Sequence, residues 1–161
     1  MTIAAGSRLP EATLRIPTAE GMKPVTTSEF FAGKKIVLVG VPGAFTPTCH
    51  KTHLPGFVKD AEAFKAKGID GIAVIAVNDH FVMGEWAKAS GGEGKITFLA
   101  DGIAEFTKAA GLDIDLTAIG LGIRCKRFSA LIENGTVSQI HFEDGPGKVE
   151  QTAAEYLVCR L

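Results

Sequence analysis

The segment Pro42-Gly43-Ala44-Phe45-Thr46-Pro47-Thr48-Cys49 holds the residues best suited to chemistry. Thr46 makes a good helix N-cap, and Pro47 fits the first helical position, where a missing N–H costs nothing. That register makes Cys49 the third helical residue, the place where a capping box would put Glu or Gln. Capping therefore accounts for Thr46 and Pro47 and leaves Cys49 unexplained. Orphan N–H groups and roughly half a positive charge gather at a helix N-terminus. A thiol placed there is expected to ionise below the reference value of about 8.5 and to react as a thiolate. A cysteine kept only for packing would sit more naturally in a strand or on the apolar face of the helix.

Other polar residues offer weaker chemistry. His50 and His53 flank Cys49 closely, but no further ligand stands at a recognised spacing, so no metal is expected. A Cys–His hydrolase would need a third, orienting group, and none is nominated. His80 and His141 read as surface residues. Arg124 and Arg127 both precede a predicted strand, and spacing alone does not choose between them. The three cysteines, Cys49, Cys125 and Cys159, are odd in number and far apart, which excludes a disulfide scaffold and a zinc site built on C-x-x-C pairs. The missing C-x-x-C also disfavours a thiol–disulfide oxidoreductase. Gly120-x-Gly122 lacks the third glycine and helix start of a dinucleotide fingerprint. No cofactor is expected.

The whole chain sets further bounds. At 161 residues it is about one domain long. Its 46% hydrophobic content supports an ordinary core. Lys and Arg number 17 against 18 Asp and Glu, and without a basic excess neither nucleic acid nor an anionic membrane is an expected partner. Mean hydropathy is high at +0.20, yet the apolar runs at 36–41 and 71–77 are far shorter than the roughly twenty residues a membrane span needs. Arg8, Pro10, Glu11 and Arg15 interrupt any signal-like start, so the expected location is a reducing cytoplasm.

The elements that must position Cys49 follow from periodicity. Ile36–Val41 and Ile72–Val77 are runs without polar alternation and predict strands buried on both faces. Leu54, Phe57, Val58, Ala61 and Phe64 recur at helical offsets, predicting one helix over 49–67 that is kinked at Pro55 and stopped at Gly68. Short edge strands are expected around 12–16 and 23–27. Asn78-Asp79 caps a helix carrying Phe81, Val82 and Trp86. A strand at Ile96–Ala100 and a short helix around 103–110 follow. Asn134-Gly135 joins strands Arg127–Glu133 and Thr136–Phe142 in a hairpin. A final helix over about 148–159 should bury Val149, Ala153, Tyr156 and Leu157. This order implies an α/β protein in a single domain over 1–161; it matches a thioredoxin-like fold, with a central mixed sheet, helices on both faces, and a C-terminal hairpin and helix, and a doubly wound sheet without a dinucleotide fingerprint is the alternative.

Pro42-x-x-x-Thr46-x-x-Cys49 resembles the signature of the peroxiredoxins, thiol peroxidases on a thioredoxin-like fold. Lys51-Thr52-His53-Leu54-Pro55-Gly56-Phe57 extends the likeness toward the type II (atypical 2-Cys) subfamily. Val77-Asn78-Asp79, Gly84-Glu85-Trp86, Leu99-Ala100-Asp101 and Lys126-Arg127-Phe128-Ser129 carry it along nearly the whole chain. The resemblance implies that Cys49 attacks a hydroperoxide and becomes a sulfenic acid. It implies that Thr46 bonds the sulfur and the peroxide oxygens, and that Arg127 holds the thiolate and the departing oxygen, with Arg124 as the fallback. It also implies that Pro42, Gly43 and Thr48 help to bind substrate, Pro42 by shielding the sulfur from water. Fixed donors suit a displacement whose charge spreads over three atoms.

Relatives keep a resolving cysteine either in the second buried strand, where Val74 stands here, or in the loop before the last helix, where Gly145 to Glu150 contain none. Cys125 and Cys159 remain as possible resolving thiols. The expectation is a one-cysteine cycle in which an external thiol, glutathione with glutaredoxin or else thioredoxin, reduces the sulfenic acid. The resemblance further implies a homodimer acting on hydrogen peroxide and alkyl hydroperoxides. The alternative is a peroxide sensor that signals through oxidised Cys49.

Overall fold

A computed structural model describes residues 1–145 and 147–161. Pro146, within the Gly145 to Glu150 stretch that contains no cysteine, lies outside the described residues. Strands β1 (Thr13–Thr18), β2 (Gly21–Thr26), β3 (Lys35–Gly40), β4 (Gly71–Ala76), β5 (Thr97–Ala100), β8 (Phe128–Glu133) and β9 (Thr136–Phe142) form one sheet in the order β2-β1-β5-β4-β3-β8-β9. Between β5 and β8, β6 (Asp113–Asp115) and β7 (Ile123–Cys125) pair separately. β3, β4 and β5 run parallel, while β1 and β8 flank them antiparallel, so the sheet is mixed as expected.

The central strands lack polar alternation because both faces are covered. Val37 and Val39 point into one core with Val74, under α2 (Leu54–Lys59), α3 (Ala61–Ala66), α4 (His80–Ala89) and α6 (Ala154–Val158). Ile36 and Leu38 point into the other with Ile75 and Leu99, under α1 (Thr27–Phe31) and α5 (Glu105–Ala109). Asp79 caps α4 by accepting from the Val82 amide at 2.8 Å, as its place after β4 predicts. Asn134 and Gly135 both take positive φ, 48° and 77°, which the tight β8–β9 turn requires.

Two helices differ from expectation. The segment 49–67 is a single wide π-turn (Cys49–His53) followed by α2 and α3, with a break at Asp60. Pro55 sits in the first turn of α2, where its missing amide is harmless, and the turn before it widens so that the Leu54 amide reaches the Cys49 carbonyl. The last helix is only Ala154–Val158. Upstream of it, the Glu143 carboxylate takes the Glu150 amide at 2.6 Å and the Thr152 amide at 2.8 Å, which holds that stretch in turns. Leu157 is buried as predicted, whereas Val149, Ala153 and Tyr156 are half-buried.

One register fact places the site. β8 begins beside the end of β3, with Phe128 paired to Gly40. The Phe128 ring lies 2.1 Å from where a Gly40 Cβ would be, so only glycine lets the strands pair there. Arg127 therefore emerges next to the loop that leads from β3 to Cys49.

Candidate active site

Cys49 occupies the third residue of the helical segment that starts at Pro47, and it is fully buried. Its sulfur accepts a hydrogen bond from Arg127 Nη2 at 3.2 Å. Arg127 itself is 4% exposed, so this charge-assisted bond lies out of water, where such bonds are strongest. The structure thus chooses between the two arginines. Arg124 instead donates from Nη1 to the Pro42 carbonyl at 3.3 Å and from Nε to the Leu121 carbonyl at 2.8 Å.

The approach loop is shaped by close contacts. A Cβ on Gly43 would stand 2.7 Å from Arg124 Nη1 and 3.1 Å from Thr46 Cγ2, so the glycine makes room for the guanidinium. Phe45 adopts φ 63°, an unusual left-handed conformation for a bulky residue, and lies against His50. Pro42 is buried and Thr48 is half-buried, with no capping hydrogen bond from the Thr48 side chain. Thr46 stands at the N-cap position, where its carbonyl accepts from the His50 amide at 2.9 Å. Its hydroxyl donates to the Gly43 carbonyl at 2.7 Å, rather than to the sulfur. With the hydroxyl proton committed, the oxygen can only accept further hydrogen bonds.

Both histidines that flank Cys49 are occupied. Trp86 Nε1 donates to His50 Nδ1 at 3.0 Å. His53 Nδ1 lies 2.8 Å from Arg127 Nη1, and its Nε2 lies 2.9 Å from the Thr152 carbonyl oxygen. Burial, reinforced by the Arg127 charge, pushes the imidazole down to about 4. Glu143 stands on the far side of Thr152. Burial opposes its ionisation, but hydrogen bonds from Thr152 and Glu150 and the nearby His53 outweigh that and hold it below the usual range. From sequence, His53 offers a metal ligand or a member of a Cys–His pair, both without further partners, and not a link to Arg127. The signal for its real place was its spacing, since a residue four after Cys49 lies on the same helix side. His80 and His141 are half-buried rather than exposed.

Cys125 and Cys159 are both free thiols. Cys125 is buried in the core on the other side of the sheet, and burial, with Asp101 and Cys49 adding negative charge nearby, pushes its thiol up to about 12. Cys159 is exposed, just past the end of α6. Among the described residues, no helix is long and apolar enough to cross a membrane.

Comparison with known proteins places the chain in a family. The Redoxin family model matches residues 4–157. Peroxiredoxin-2C of Oryza sativa subsp. japonica is 45% identical, covering 99% of this chain and 98% of the relative. The chloroplastic Peroxiredoxin-2E of Arabidopsis thaliana is 42% identical, covering 97% of this chain and 68% of its own length. Reduced Prx3 from Vibrio vulnificus, solved in complex with hydrogen peroxide, is 46% identical over 99% of both chains, with a TM-score of 0.93. The chain belongs to the redoxin family, as a thiol-dependent peroxidase of the type II peroxiredoxin group.

Proposed function

We propose that Cys49 is the peroxidatic nucleophile, assisted by Arg127 and Thr46. The observation that carries this reading is the 3.2 Å bond from Arg127 Nη2 to a fully buried sulfur in the first helical turns. The Cys49 thiolate attacks the terminal oxygen of a hydroperoxide. The S–O bond forms as the O–O bond breaks, giving a sulfenic acid and an alkoxide or hydroxide that takes up a proton. Arg127 offsets the charge moving onto the departing oxygen, and the Thr46 oxygen accepts the peroxide O–H. Pro42, Gly43 and Thr48 bound the substrate position. A cavity of about 380 Å³ shares Pro42 and Arg127 with it and is lined further by Ile114 and Phe142 and by the charged Lys126, Glu143 and Asp144.

An external thiol completes the cycle. It attacks the sulfenic sulfur, water leaves, and a second thiol releases Cys49 and a disulfide. Support for this one-cysteine cycle is that Cys125 is a buried, protonated thiol in the opposite core, and that Cys159 is exposed while Cys49 is enclosed. Glutathione with glutaredoxin is the first reductant to test, thioredoxin the second, both in a reducing cytoplasm. A homodimer fits the same picture. Phe45, Phe81 and Ile103 are exposed and follow the C-terminal ends of the parallel strands β3, β4 and β5, so they share one edge of the molecule.

Non-reducing mass spectrometry after one equivalent of peroxide tests the cycle. The expected product is a mass gain of one oxygen on the Cys49 peptide, converted to a mixed disulfide by glutathione. An intramolecular bond from Cys49 to Cys125 or Cys159 would overturn it. Sustained turnover with a recycling system, rather than a halt after about one equivalent, separates an enzyme from a sensor.

A further inference from the structure

We propose that His53 is a positioning residue for the peroxidase reaction, holding Arg127 on the Cys49 sulfur and anchoring that aim on the C-terminal segment. The inference rests on the reading of Cys49 as nucleophile and Arg127 as its partner.

The hydrogen bonds leave one tautomer. A guanidinium only donates, so His53 Nδ1 must be the acceptor for Arg127 Nη1 at 2.8 Å. A carbonyl only accepts, so His53 Nε2 must carry the proton it shares with the Thr152 oxygen at 2.9 Å. The neutral Nε2–H form satisfies both, and the depressed pKa of the buried ring agrees with it. Arg127 therefore has Nη2 on the sulfur and Nη1 on the imidazole, which fixes the plane of its fork.

The other end of the chain is also fixed. Thr152 is fully buried, and Glu143 Oε1 accepts from both its amide, at 2.8 Å, and its hydroxyl, at 2.9 Å. The His53 ring packs edge-on against Phe57, with centroids 5.6 Å apart, which limits its rotation. One line of contacts thus runs from Cys49 through Arg127, His53 and Thr152 to Glu143. It joins the start of the active-site helix to β8 and to the turn before α6. A displaced Arg127 would still be charged, but it would no longer point at the oxygen leaving Cys49.

Two substitutions separate this role from simple packing. In His53→Asn the side-chain oxygen stands where Nδ1 stood and can still accept from Arg127. In His53→Gln the amide reaches the Nε2 position, toward Thr152, and the bond that His53 Nδ1 accepted from Arg127 Nη1 is lost. The rate of sulfenic acid formation on Cys49 is followed by trapping and mass spectrometry, with thermal unfolding of each variant measured beside it. His53→Gln should slow the step by about ten- to a hundredfold, the loss expected when a catalytic donor is misplaced by roughly an ångström. His53→Asn should keep most of the wild-type rate. Equal rates in the two variants, or rates that merely follow their melting temperatures, would overturn the proposal. Absence of sulfenic acid on Cys49 in the wild type would instead overturn the Cys49 reading itself.

Discussion

Cys49 and Cys125 are the same residue type at the same depth, yet their surroundings prepare them for opposite behaviour. Each is fully buried, but they pack into cores on opposite faces of the sheet. Cys49 has a guanidinium N–H on its sulfur. Cys125 has the neutral Thr107 hydroxyl beside it in place of a guanidinium. It lies near Asp101, a buried carboxyl that the Thr107 hydroxyl bonds at 2.7 Å, and burial with that negative charge keeps the thiol protonated. Burial alone makes a cysteine inert, and burial beside a fixed cation makes it a candidate nucleophile. The decisive difference is one arginine, delivered by the register of β8 on β3.

The comparison can be broken most severely at the sulfurs. Cys49→Ser should lower peroxide turnover by about three orders of magnitude or more, since loss of the nucleophile leaves only binding. Cys125→Ala should keep the turnover rate and cost about 1 kcal/mol of stability for the small cavity. Coupled peroxidase assays and denaturant titrations read the two, and equal rate losses would erase the distinction between the cysteines.

Arg127→Lys is the next test, because an ammonium cannot serve the sulfur and His53 with one planar fork. Stopped-flow measurement should show kcat/KM for hydrogen peroxide reduced about a hundredfold, the scale of losing one preorganised donor. The same change at Arg124, which bonds the Pro42 carbonyl rather than the sulfur, should cost much less.

The smallest effect concerns stability and pH. His53 titrates at about 4 in the folded chain, against an ordinary value of 6.5. The unfolded chain therefore binds the extra proton first. Its contribution to stability is fully present above pH 6.5 and is lost as pH falls through that value toward 4. The loss should approach about 3 kcal/mol at 1.36 kcal/mol per unit. Urea unfolding at stepped pH should show this slope in the wild type and a flatter one in His53→Asn. Parallel curves for the two proteins would mean that His53 is not the titrating group.

Much of this was legible before any coordinates. The buried runs at 36–41 and 72–77, the Asp79 cap and the Asn134-Gly135 turn are local signals, and the structure returns each of them. Helix ends read less well. The final helix is shorter than its periodicity suggests because Glu143, distant in sequence, takes amides that a longer helix would have used. Thr46 stands at the helix start as its neighbours predict, and only the loop shows that a carbonyl three residues back takes its hydroxyl proton.

By itself, the sequence determined the α/β class and the candidate nucleophile, because periodicity, turn chemistry and a helix-start cysteine are encoded by near neighbours, and its motifs carried the resemblance to the family. Tertiary structure alone decided the contact by which Arg127 meets the sulfur, that His53 is a hydrogen-bonding link, and that Cys125 is sealed in the opposite core. Those outcomes depend on strand register and on which face of the sheet a side chain enters, and no local stretch of sequence specifies either one.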